Sequence, residues 1–146
     1  MKPVLQALLL ADHVYKDANT GKMIVAGTFN RLGVFKKQEQ EAAELAQGEV
    51  AKTSVAKVQQ AGSPYAYINI IEVHGSTAFE LRYVDLDSHE VIFHTSQITV
   101  EAKDPLTTFE VAIPLPPLPA RLGVYALELV WQSELLGSYR IVVAEV

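Results

Sequence analysis

The chain contains no cysteine. That removes disulfides, thiolate nucleophiles, iron–sulfur clusters and every zinc site built on sulfur. It fits a reducing compartment, so the expected localisation is cytoplasmic. Cationic charge is scarce as well: 12 Lys and Arg stand against 17 Asp and Glu, a formal net charge of −5. The basic residues are scattered, and the one close pair, Lys36-Lys37, runs straight into glutamates. Such a chain repels phosphate backbones, so nucleic acid is not an expected partner. No run approaches the roughly 18 apolar residues of a membrane span. The eight glycines are isolated, which leaves no phosphate-cradling loop. There is no GxSxG elbow and no HxH or HExxH spacing, and no internal repeat of about 20–45 residues.

What is present is a series of short apolar runs punctuated by Gly, Pro, Asn and Asp. Residues 4–15 (VLQALLLADHVY) and 23–32 (MIVAGTFNRL) flank the turn KDANTGK. Lys2 and the apolar residues after it superficially resemble a secretion signal. Pro3 and Gln6 interrupt that stretch and it flows into Asp12-His13, so it reads as a first strand. Residues 65–73 and 78–86 alternate with period two, with Phe79, Leu81 and Tyr83 on one face and Glu80 and Arg82 on the other. In 90–102 the apolar parity switches from odd to even across Thr95-Ser96-Gln97, the signature of a bulge or of a strand changing sheets. Residues 108–115, 123–132 and 135–146 complete the set. Gly27, inside a strand pattern, predicts a bulge or a close neighbouring backbone.

The fold class expected is all-β: a single domain over residues 1–146, an antiparallel β-sandwich of about eight strands, immunoglobulin-like or similar. A chain of 146 residues is long enough to bury about 68–70% of the surface its unfolded form exposes. One segment departs from the strand pattern. Residues 36–62, rich in Ala, Glu, Gln and Lys, read as a short helical insertion: 38–47 closed by Gly48, then 49–60 before Gly62 and Pro64.

Eight antiparallel strands alternate in direction, so successive connections alternate between the two ends. Asp17, Asn19, His74, Asp104 and Glu134 then share one end. The insertion, Asp85, Asp87, His89, the Pro-rich stretch and both termini share the other. On this placement Asp17, His74 and Asp104 form the candidate ligand or metal end, and His13 joins them from late in the first strand. Calcium wants six to eight oxygens and zinc three or four N or O ligands, which these residue types supply in part. Asp and Asn are equally the default residues of turns, because they bond their own backbone. PPLPAR (116–121) has the PxxP form of a groove ligand, but it also serves as a crossover with Leu115 and Leu118 packed inward. No nucleophile sits with a base and an orienting third group, so no enzyme, catalytic residue or cofactor is expected.

The D-H-V-Y strand end (Asp12 to Tyr15), the T-G-K turn (Thr20 to Lys22), the A-G-T-F strand (Ala26 to Phe29) and the late G-x-Y-x-L-x-L strand (Gly123 to Leu129) are similar to those of a family of small uncharacterised bacterial β-sandwich proteins. The resemblance covers most of the chain outside 36–62. It implies a bacterial origin and a sandwich-like domain, and it brings no activity, cofactor or site residue. The function expected is that of a non-catalytic binding or assembly module with a protein partner or a second copy. The alternative is a small-ligand or metal-binding module at the Asp17, His74 and Asp104 end. VLQALLLA, apolar on both faces, is the feature that favours assembly.

Overall fold

The computed structural model describes residues 2–34 and 63–146. The helical insertion expected over 36–62 lies outside the described residues. Those residues hold strands and no helix: β1 (Val4–Lys16), β2 (Met23–Thr28), β3 (Arg31–Val34), β4 (Tyr65–Ile71), β5 (Gly75–Asp85), β6 (Val91–His94), β7 (Ile98–Ala102), β8 (Phe109–Pro114), β9 (Gly123–Trp131) and β10 (Glu134–Glu145). One sheet has the order β2-β1-β4-β8. The other has the order β3-β10-β9-β5-β6, with β7 also paired to β5.

The expected count of eight becomes ten because two of the anticipated strands break. The run 23–32 divides after Thr28. Phe29 N–H still donates to Leu10 of β1 (3.2 Å), whereas Asn30 C=O already accepts from Val142 N–H of β10 (3.0 Å). Within two residues the chain passes from one sheet to the other. The Tyr139 hydroxyl anchors the crossing by donating to Phe29 C=O (2.8 Å). β3 then runs parallel to β10, which corrects the expectation of a wholly antiparallel structure. The second break falls where the parity switch predicted it. β6 pairs with Arg82, Tyr83 and Val84 of β5, β7 pairs with Gly75 to Phe79, and Thr95 between them bonds Leu81 through both its backbone N–H and its hydroxyl.

The facing sides of the two sheets share one hydrophobic cluster. Leu10, Ile68 and Ile70 come from the four-stranded sheet, and Leu81, Leu127, Leu129 and Ile141 from the six-stranded one, each 2% exposed or less. Leu115 and Leu118 enter it from the Pro-rich crossover as expected. On β4 the even residues Ala66, Ile68 and Ile70 face this core. Val73 rejoins it because Glu72 adopts a positive φ of 58° and shifts the strand phase by one residue. Tyr83 lies between Phe93 and Tyr125, with ring centroids 5.2 and 5.3 Å away. Gly27 has a φ of 75°, and a Cβ there would stand 2.6 Å from Asp12 Oδ2, so the predicted close approach is to a side chain across the β1–β2 pair.

Candidate interaction face

The strand registers divide the four ligand candidates into two pairs. Val4 of β1 pairs with Ile71 of β4, and Lys16 pairs with Met23 of β2. The 72–74 turn therefore adjoins the start of β1 and the 17–22 turn its end, thirteen residues further on, or about 40 Å at about 3.3 Å per residue. His13 is exposed near the Asp17 turn, opposite Ala26. Asp104 follows β7, whose Ala102 pairs with Gly75, so it belongs with His74. The expectation that all four share an end is thereby corrected. The cause is β3, an extra traverse between β2 and β4 that inverts the end at which each later connection falls.

The same inversion moves two other features. The Asp85–His89 turn, expected opposite Asp17, falls at the Asp17 end on the other sheet. The N-terminus, expected beside that turn, lies at the other end, where Lys2 Nζ meets Glu134 Oε1 at 2.7 Å. Among the described residues no group of three or more His, Asp or Glu is placed to hold a metal ion.

The carboxylates in question are committed locally. Asp17 Oδ1 accepts from the backbone N–H of Asn19 (2.8 Å) and Thr20 (2.9 Å). Those bonds, Thr20 foremost, hold its carboxyl below the usual value. Asp104 Oδ1 accepts from Leu106 N–H (2.9 Å). His74 lies 3.8 Å from Glu72.

The four-stranded sheet offers a different surface. Its pairing Leu9↔Tyr67, Tyr15↔Ile24 and Tyr67↔Ala112 puts Leu9, Tyr15, Ile24, Tyr65, Tyr67 and Ile71 on the side away from the core. Most of these are half-buried, and Tyr15 is exposed. Among the described residues the face carries one carboxylate, Glu110 of β8. Glu110 accepts the Tyr67 hydroxyl through Oε2, and Asn69 Nδ2 in turn approaches that hydroxyl oxygen at 3.4 Å. Burial first, and then the bond to Glu110, hold the Tyr67 hydroxyl above the usual tyrosine value, so it remains a donor. Asn69 Oδ1 is shielded from solvent and has no donor among the described residues. An apolar, tyrosine-bearing sheet face with an unmet acceptor in it has the composition of an interface core. The alternation of β4 displays Tyr65, Tyr67 and Ile71 in the sequence, but which side faces outward depends on pairing to β1 and β8.

The two-sheet, all-β arrangement is the class of protein that the described residues define. In comparison with known proteins, no protein-family model matches the chain and no curated protein matches it. No helix among the described residues is long and apolar enough to cross a membrane.

Proposed function

We propose that the chain is a non-catalytic β-sandwich module that assembles with a second copy of itself through the outer face of the four-stranded sheet. The observation that carries this reading is the scarcity of carboxylates on that face, among the described residues, in a protein of net charge −5. Two copies repel one another wherever their carboxylates meet, and among the described residues this face presents only Glu110, already held by Tyr67. The size is appropriate. The four strands, of 13, 6, 7 and 6 residues, give at about 3.3 Å per residue and about 4.8 Å between strands a plan area of about 500 Å². Standard interfaces take about 800 Å² per partner, and lattice contacts mostly half that or less. A face that pairs with itself generates a closed two-fold dimer. Asn69 Oδ1 would then take its donor from the partner.

The family resemblance is in keeping with a sandwich module and adds no chemistry to it. A joint metal or ligand site on Asp17, His74 and Asp104 draws no support from a register that parts them.

Sedimentation velocity over a range of concentrations tests the proposal. The wild-type chain is expected to pass from monomer to dimer, and Leu9→Lys or Tyr67→Lys to remain monomeric with an unchanged β-sheet circular dichroism spectrum. A wild-type chain that stays monomeric at the highest concentration overturns it, as does a dimer indifferent to both substitutions.

A further inference from the structure

We infer that the outer face of the six-stranded sheet holds a binding groove for a small hydroxylated carboxylate of the sugar-acid type, with Arg82 as the carboxylate-binding residue. The groove follows from the way β5 is shared. Its first half pairs with β7 and its second with β6; between them Thr95 still bonds Leu81, and Ser96-Gln97 take no part in strand pairing. The depression left over β5 has a volume of about 620 Å³, with Ala78 and Val130 among its lining. That volume lies within the range of small-molecule sites. Gln97 and Thr99 of the β7 side and Gln132 of the β9–β10 turn line it as well. Gln132 and its neighbour Ser133 both have positive φ, 48° and 63°, a turn that ordinarily takes Asn and Gly. Side chains larger than the turn needs are thus held over the groove.

Arg82 selects the ligand class. Glu128 stands directly opposite it on β9, yet no carboxylate among the described residues lies within 4.0 Å of the guanidinium. Its Nε is shielded from solvent without an acceptor among the described residues. A planar carboxylate satisfies such a fork, and hydroxyls suit the amide and hydroxyl side chains of Gln97, Thr99 and Gln132, which both donate and accept. Glu80, also in the groove, lies 3.5 Å from His94 Nδ1. One arginine, with Glu80 in the groove and Glu128 opposite it, is too little positive charge for a phosphate dianion. A neutral sugar leaves Arg82 unmatched. This site is on the opposite sheet from the proposed dimer face and does not depend on it.

The chain's single tryptophan reports on the groove, because Trp131 Nε1 donates to Thr77 Oγ1 (2.7 Å) and Thr77 lines it. The test is titration of the full chain with D-glucuronate, D-glucose, acetate and inorganic phosphate, followed by Trp fluorescence and calorimetry. Saturable one-to-one binding of glucuronate is expected, with the other three at least about tenfold weaker. Arg82→Gln is expected to weaken glucuronate at least about tenfold. Thr99→Val and Gln97→Ala, at exposed positions where folding is insensitive, are expected to weaken it a few-fold. Arg31→Gln, beside Arg140 on a separate part of the sheet, is expected to change nothing. No saturable glucuronate binding at millimolar concentration overturns the assignment. So does phosphate binding tighter than glucuronate, or an equal loss in Arg31→Gln and Arg82→Gln.

Discussion

Leu5 of β1 packs directly over the Cα of Gly137 in β10: a Cβ at position 137 would stand 2.5 Å from Leu5 Cδ2. Leu5 belongs to one sheet and Gly137 to the other, so here a leucine methyl of one sheet fills the space that a side chain on the other would take. Both positions adjoin register shifts, between Leu5 and Ala7 on β1 and between Leu135 and Gly137 on β10. Regular pairing is thus interrupted on both strands where the Leu5 methyl sits, and glycine is what the contact leaves room for.

Gly137→Ala is therefore expected to destabilise the protein by about 0.5–1.5 kcal/mol, the cost of turning the Leu5 side chain out of its rotamer. Leu5→Ala in the same chain should recover part of that loss. Urea denaturation of the two single variants and the double variant measures the coupling. Strict additivity would show that the two residues do not share this space.

Tyr83 is fully buried between Phe93 and Tyr125, and its hydroxyl has no hydrogen-bond partner among the described residues. Burial raises its pKa, so the phenol stays neutral at all ordinary pH. Tyr83→Phe removes an unsatisfied group while keeping both stacking contacts. It is expected to leave stability unchanged or raise it by up to about 1 kcal/mol, whereas Tyr83→Ala should cost about 3–5 kcal/mol. Thermal and urea melts distinguish these outcomes. A large loss in Tyr83→Phe would reveal a partner for the hydroxyl.

Asp85 closes the β5–β6 turn. Its Oδ1 accepts from the N–H of Asp87 (2.9 Å) and Ser88 (3.3 Å), and its Oδ2 accepts from Arg121 Nη2 (3.3 Å). The Asp87 bond is the largest influence. Burial opposes it, the Ser88 bond and Arg121 assist it, and the net effect holds the carboxyl below its usual value. The unfolded chain then takes up the proton more readily than the folded one. The stabilisation is complete above the unfolded value of about 3.9 and is lost as pH falls through the lower folded value. Wild type should lose stability below about pH 4 more steeply than Asp85→Asn. Equal acid slopes in urea melts at successive pH values would refute this.

Thr77→Val leaves the Trp131 indole N–H without its acceptor while preserving side-chain shape. A loss of about 1 kcal/mol is expected, with a shift in the emission of the only tryptophan. Unchanged emission would place the indole N–H on another acceptor.

Legibility in the sequence varied from element to element. The inward sets Phe79, Leu81, Tyr83 and Tyr125, Leu127, Leu129 were readable because alternation is a property of one strand alone. The break at Thr95-Ser96-Gln97 was readable for the same reason, since a change of parity is a local event. The crossing at Phe29-Asn30 was not. MIVAGTFNRL carries an apolar residue on both sides of that point, and only the bonds to Leu10 and Val142 show that the chain changes sheets there. Missing that one crossing misplaced His74 and Asp104 relative to Asp17. The groove over β5 was equally hidden, because Glu80 and Arg82 read as a solvated strand face until β6 and β7 are seen to part beside them.

By itself the sequence determined the strand character of the described residues, the position of most of those strands and the residues that form their core. Each of these follows from residue type and from periodicity over a few neighbours. Only the tertiary structure decided which side of the four-stranded sheet is turned outward, which loops share an end, and that Arg82 borders a hollow with no carboxylate of the described residues within 4.0 Å of its guanidinium. Those depend on pairing between residues as far apart as Asn30 and Val142, and a single sheet-to-sheet crossing redistributes every connection that comes after it.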